Sequence, residues 1–370
     1  MNLASRALGA GVVWADDELF GAKEDLLLDV PARVVPGRYG PKGELVDGWE
    51  TRRRRTPGHD RVVVRLATPG VVTAVDIDTT GFAGNPPVDC MVEGAGAEGH
   101  PGVEDLEQRW TPILARGPVR GDAHNLRPVS DPRRWTHVRL SIFPDGGVAR
   151  LRVVGDAVPD PCWFDDLTPD LAAATSGAAV VAGSDPAGAA ALLEPFGRWL
   201  TGRRAGPDWA LIRLAGTAHL RAVEVDTTGL CLDASTDLAL WGWSDQRGWS
   251  DQRWSGPAEP GDADDPGWVP LAPPFPLRPD TPHRFRVAAG PPVTWARLTA
   301  RPQAGIGRLR LRGALSAEGR ARLGVRWFAA LPPEQAADVL RQRCGLDPEQ
   351  IAHVLGRGAW PEAVRWLIEG

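Results

Sequence analysis

The chain contains one sequence twice, and this limits its fold more than any other feature. Asp60 to Phe82 aligns with Asp208 to Leu230 without a gap, at a constant offset of 148, and ten of the 23 paired positions are identical. The identities include Arg-Leu-Ala (65 to 67 and 213 to 215) and Asp-Thr-Thr-Gly (78 to 81 and 226 to 229). Further on, Pro144 to Gly155 aligns with Pro302 to Gly313 at an offset of 158, so the second copy carries an insertion. Part of it is visible: GWSDQR at 242 to 247 recurs at 248 to 253, a tandem duplication that reads as a lengthened loop. A period this long is a duplicated domain and not a solenoid.

Each copy reads as strands and turns. Gly and Pro, 43 and 35 residues, fall between short runs of Val, Ile, Leu and Thr. Arg61 to Ala67 and Val71 to Asp78 flank Thr-Pro-Gly, a strand, a turn and a strand. Thr136 to Phe143 alternates with period two, so Val138, Leu140 and Ile142 share one face and His137, Arg139 and Ser141 the other. Pro144 to Gly147 is a turn, and Val148 to Gly155 returns as the partner strand. The expected fold class is therefore all-β, with repeats at 1–158 and 170–315 joined by the Pro/Asp-rich stretch Asp156 to Asp170. From Ser316 the spacing turns helical, in EQAADVLRQRC, in EQIAHVL and over Trp360 to Ile368, so 316–370 is expected to be a helical tail that docks on the sandwiches or on another subunit.

Bulk charge excludes several functions. A net charge of -5 and a pI near 5.9 leave no general basic surface for nucleic acid. Cys90, Cys162, Cys231 and Cys344 are scattered without a close pair, which argues against a disulfide framework or a zinc cluster. No run is long enough to span a bilayer, and the first twenty residues do not read as a signal peptide, so a cytoplasmic protein is expected.

Polar residues found in one copy only are the candidates for chemistry. Asp47 to Asp60, DGWETRRRRTPGHD, packs carboxylates, four consecutive arginines and a histidine into one loop. Adjacent guanidiniums repel, so such a run is expected where an anion is gripped, and His beside Glu and Asp adds proton-transfer capacity. His59 aligns with Pro207, His137 with Trp295, Asp145 with Gln303 and Glu50 with Leu200, while Asn85 faces Asp233. Asn85 is thus a candidate ligand donor. Asp145 heads a tight Asp-Gly-Gly turn that would by itself explain it, and His137 on a polar strand face reads equally well as an exposed residue. His124, in DAHNLR, aligns with His283, in TPHRFR, and so reads as either structural or functional. Arg38 and Tyr39 lie just upstream, where they could border a pocket. No tight His/carboxylate spacing demands a metal, and none is expected, nor any other cofactor.

Three segments carry a family resemblance: DGWETRRRRTPGHD, then DTTGFAGNPP (78 to 87), then THVRLSIFPDGGVARLRVVG (136 to 155). In order and spacing they resemble allantoicase, and the duplicated layout does too, over about residues 8 to 315. The resemblance implies a tandem pair of jelly-roll, galactose-binding-like sandwiches, assembled as a homo-oligomer, that hydrolyse allantoate to ureidoglycolate and urea. It also implies roles. His59 and His124 would transfer protons, Glu50 or Asp60 would orient an imidazole, and Arg52, Arg53, Arg54 and Arg55 would grip the carboxylate. Asp47, Asn85, His137 and Asp145 would complete the substrate contacts. The competing reading is a non-catalytic jelly-roll module that binds a carbohydrate-like ligand.

Overall fold

The computed structural model describes residues 1–33, 37–203, 205–243, 267–357 and 362–369. They form two compact units, Met1–Pro159 with Trp327–Pro361, and Asp160–Arg326 with Glu362–Gly370. The inserted GWSDQR repeat lies outside the described residues from position 244 on.

Each unit is organised by one nineteen-residue strand, Asp60–Asp78 in the first and Asp208–Asp226 in the second. In the first unit, residues 60 to 65 pair antiparallel with Gly11–Ala15 and with Arg134–Phe143. Residues 70 to 78 pair with Arg150–Ala157 and 74 to 78 with His124–Pro128, while only Gly70 and Val71 still pair with Arg134–Phe143. The ladder to Arg134–Phe143 breaks register between Arg65 and Gly70, around Thr68-Pro69-Gly70. Proline cannot donate to a ladder, and the chain changes layers here. Strands Asp89–Ala95 and Thr111–Pro118 extend the first layer. Alternating residues then close a jelly-roll core between the layers: Val62, Val64 and Leu66 from one half of the long strand, Val75 and Ile77 from the other, with Val138, Leu140, Ile142, Leu151 and Val153 opposite.

The period-two reading of Arg134–Phe143 gives the inward face correctly, since Val138, Leu140 and Ile142 are fully buried. The outer face is also covered. The segment Val103 to Trp110 lies over it, with Leu106 buried against Val63 and Ala95, and Arg139 bonded to Glu93 at 2.7 Å and stacked 4.6 Å from the Trp110 ring. His137 on this face is only 2 % exposed, its Nδ1 2.8 Å from Thr136 Oγ1. Alternation says which face a residue joins, not what later covers that face.

The second unit repeats the seven-stranded plan and the small ladder, with Trp199–Leu200 paired with Gly305–Ile306 as Trp49–Glu50 is with Gly147–Val148, but among the described residues it has no counterpart of the hairpin Tyr39–Gly40 with Gly43–Glu44. The ladders correct one alignment. His124 faces Asp78 and Asn125 faces Ile77, whereas Pro282 faces Asp226 and His283 faces Val225. His283 is thus the counterpart of Asn125, and His124 that of Pro282. The shared role is plain: Asn125 Oδ1 accepts from Arg120 N at 3.0 Å and its amide donates to Ile77 O, while His283 Nε2 accepts from Arg278 N at 2.9 Å and Nδ1 approaches Val225 O. A slip of one residue in a strand moves a side chain to the other face.

The tail contains helices Ala317–Ala330, Pro333–Cys344, Pro348–Arg357 and Glu362–Glu369, the first of which the apolar spacing did not single out. Pro333–Cys344 docks on the first sandwich. Gln335 donates to Glu98 at 2.8 Å, Asp338 pairs with Arg109 at 2.7 Å, and Glu98 also holds the fully buried Arg134 at 2.7 Å. Glu362–Glu369 belongs to the second unit, where Arg320 donates to Ile368 O at 2.9 Å. No helix among the described residues is long and apolar enough to cross a membrane.

The turn Pro144 to Gly147 is set by close packing. Gly146 has φ +144°, and a Cβ on Gly147 would lie 2.0 Å from the Phe82 ring. Gly147→Ala should therefore lower stability by about 1 to 3 kcal/mol, the usual cost of overpacking. Combined with Phe82→Leu it should lose much less than the sum, measured by urea unfolding in a double-mutant cycle; additive losses would refute the contact.

Candidate active site

Because the long strand folds back on itself, both its ends lie at one end of the sandwich. Asp60 pairs with Ile142 and Asp78 with Arg150, on either side of the turn Pro144 to Gly147. A cavity of about 470 Å³ opens there. One wall is the hairpin strand Gly43–Glu44 with Lys42, Leu45 and Val46, and the other is Thr80, Gly81, Phe82 and Asn85, with Phe20, Arg33, Asp47 and Glu50 completing it. That volume suits a small polar ligand.

Glu50 is the best-held carboxyl of the cavity. Its backbone is clamped between Gly147 on one side and Gly21 on the other, with Gly21 N donating to Glu50 O at 3.1 Å and Glu50 N to Gly21 O at 3.3 Å. Asn85 Nδ2 donates to Glu50 Oε1 at 2.7 Å. Burial raises the Glu50 carboxyl above its ordinary range, and the Asn85 contact offsets this only in part. In the second unit the same position is Leu200, half exposed.

Asp47 lines the cavity but is fully engaged. Its Oδ1 accepts from the buried Arg150 at 2.7 Å and its Oδ2 from Arg33 N at 2.7 Å, so it anchors the wall. Of the two residues just upstream, Tyr39 is 73 % exposed, and neither it nor Arg38 lines the cavity.

The four arginines are not brought together. Arg52 pairs with Asp17 at 2.7 Å, Arg54 pairs with Asp60, and Arg53 and Arg55 are exposed; none of the four lines the cavity. Arg54 alone turns inward, past Gly58, whose φ of +145° favours glycine and where an added Cβ would lie 2.7 Å from the Arg54 guanidinium. Asp145 accepts from Arg54 N at 2.9 Å, so it holds this loop across the molecule and is not merely a turn residue. Asp60 is buried against the half-buried Arg54, and its equivalent Asp208 is buried too, bonded to Ser184, Thr201 and Ala304 N. This aspartate belongs to the fold.

His59 is half-buried outside the cavity lining, its ring 4.6 Å from Phe143, with the Arg116 guanidinium 4.0 Å from the same ring. Burial, with the Arg61 and Arg54 charges, pushes its imidazole below the ordinary value, so it is neutral at neutral pH. His124 is at this end too, held by Asp76 at 2.7 Å and 3.9 Å from Asp78. His137 is not. It faces Arg65, six residues and roughly 20 Å along the strand from Phe143, and burial beside Arg65 lowers it to about 4. It therefore makes no part of this site. The residues missed in the sequence are Arg33 and Lys42. A signal existed: Lys42 is one of two lysines among 42 basic residues.

The fold and cavity define a tandem jelly-roll protein whose first copy sets the carboxyl of Glu50 against the amide of Asn85 where the second has Leu200 and Asp233. The chain belongs to the allantoicase family. The allantoicase repeat model matches residues 1–158 and 169–316. A probable allantoicase of Nocardia farcinica is 41 % identical over 328 residues, spanning 85 % of this chain and 94 % of its own. One of Streptomyces coelicolor is 39 % identical over 350 residues, 88 % of each chain. The crystal structure of allantoicase from Saccharomyces cerevisiae is similar at a TM-score of 0.66 and 25 % identity, covering 85 % of this chain and 92 % of that one. A second allantoicase structure gives a TM-score of 0.68 at 26 % identity, with 84 % and 92 % covered.

The His124 contact sets a pH dependence. Its hydrogen bond to Asp76 raises the folded pKa above the ordinary 6.5, so the contact stabilises fully below that value and its contribution is lost as pH rises through the folded pKa. The side chain is 68 % exposed, so the effect is small. His124→Gln should lower the urea midpoint at about pH 5 and leave it unchanged at about pH 9; the opposite order would contradict the pairing.

Proposed function

We propose that the first sandwich hydrolyses allantoate to ureidoglycolate and urea at the cavity bounded by Glu50 and Asn85. Allantoate carries a carboxylate and two ureido groups on one carbon. Losing urea requires the C–N bond to break with its electron pair going to nitrogen, which must gain a proton. The remaining ureido nitrogen supports the carbon as an imine-like centre, water adds its oxygen there, and the water proton must leave. One carboxyl of raised pKa can serve both steps, giving its proton to the departing nitrogen and then taking one from water.

Glu50 fits this role. Its Oε1 accepts from Asn85, which leaves Oε2 to carry the transferable proton, and its backbone is fixed from both sides. The observation that carries the reading is that this raised, clamped carboxyl lines the cavity in the first copy, while the second copy has Leu200 in its place. His59, neutral and close to Arg54, and His124 are assigned supporting electrostatic roles around the cavity, since neither lines it. The same reading carries the expectation of a homo-oligomer, for which the exposed Phe196 and Leu232 of the second unit offer apolar surface.

Purified protein should release urea from allantoate and none from the ring-closed allantoin. Glu50→Gln should lower kcat about a hundredfold or more with an unchanged thermal midpoint. Binding of allantoate without urea release would favour the non-catalytic module, and an undiminished rate in Glu50→Gln would remove Glu50 from the chemistry.

A further inference from the structure

We propose that Arg33 and Lys42, not the four-arginine run, recognise the substrate carboxylate; this rests on the allantoate reading above. Both line the cavity that Glu50 lines, and no member of the run does. Among the described residues neither side chain makes an ion pair or a side-chain hydrogen bond, whereas the chain's other lysine, Lys23, is held by Glu18 and Glu24. A cation that faces a cavity without an ion-pair or hydrogen-bond partner is available to a ligand.

The charge balance of the walls points the same way. Three carboxyl groups line the cavity, Glu44, Asp47 and Glu50. The Asp47 charge is answered by the buried Arg150. Burial favours the protonated form of Glu50. Glu44 alone then opposes two cations, which leaves the cavity suited to one negative charge.

The two cations are also placed differently. Arg33 stands where its own backbone N–H is tied to Asp47 Oδ2 at 2.7 Å, so its origin is fixed by the Asp47–Arg150 pair. Lys42 sits in the tip of the hairpin between Tyr39–Gly40 and Gly43–Glu44. A planar fork on a tied-down loop and a point charge on a hairpin tip can close on one carboxylate from two sides. The ureido groups then face Glu50 and Asn85.

The test uses the full chain and allantoate. Arg33→Gln and Lys42→Gln should each raise KM at least about tenfold with kcat changed by less than about threefold, the pattern of lost ground-state binding. Lys42→Arg keeps the charge and should stay within about threefold of wild type. Arg53→Gln with Arg55→Gln should leave KM unchanged. Calorimetry on Glu50→Gln protein reads the contact without turnover: allantoate should bind, and adding Arg33→Gln should weaken it at least about tenfold. A KM insensitive to both cations, or one raised about tenfold in the Arg53/Arg55 variant, overturns the assignment even if urea is released. If no urea is released but calorimetric binding depends on Arg33 and Lys42, the reaction falls and the carboxylate recognition stands.

Discussion

The change of layer by the strand Asp60–Asp78 is the constraint on which the site depends. A nineteen-residue strand that stayed in one sheet would set its ends roughly 60 Å apart. Turning at Thr68-Pro69-Gly70 brings both ends beside the turn Pro144 to Gly147, through the pairs Asp60 with Ile142 and Asp78 with Arg150. From that point the loops before residue 60 and after residue 78 must meet. Glu50 comes from the first and Asn85 from the second, and the 2.7 Å bond between them is a result of that closure.

Both copies have this geometry, so the scaffold does not make the chemistry. The second unit retains the aspartate at the start of its long strand and, in the small ladder, the tryptophan and the glycine that faces its next residue, in Asp208, Trp199 and Gly305. What differs is what hangs on equivalent backbone: Leu200 for Glu50 and Pro207 for His59. The ladder register adds Pro282 for His124, a difference hidden when the two histidines are aligned by eye. Equivalent positions can also keep a role with a changed residue, as His283 and Asn125 do in tying down the preceding loop.

The charged loop at 47 to 60 shows how a composition-based reading and a geometric one diverge. Four adjacent arginines suggest a common target, because placing them together without one is unfavourable. The fold instead supplies separate carboxylates, Asp17 from the N-terminal segment and Asp60 from the next strand, and an exposed surface for Arg53 and Arg55. Neighbours in sequence diverge in space when an extended loop points alternate side chains in different directions. The cations that do line the cavity, Arg33 and Lys42, lie outside the arginine run and are brought beside Glu50 by the Asp47 tie and by the hairpin at 39 to 44 respectively.

The sequence by itself determined the duplication, the all-β class, the inward faces of the strands and the family, because each rests on local periodicity or on direct matching of residues. It also marked Glu50 and Asn85 as particular to one copy. Tertiary structure decided the rest. The cover of the outer face of Arg134–Phe143 came from the segment at 103 to 110, the partner of Asp145 from a loop ninety-one residues away, and the lining of the cavity from a hairpin whose neighbours are not its sequence neighbours. Which side chains share a cavity depends on where distant loops are carried by the strands between them, and the alternation within one strand holds no record of that.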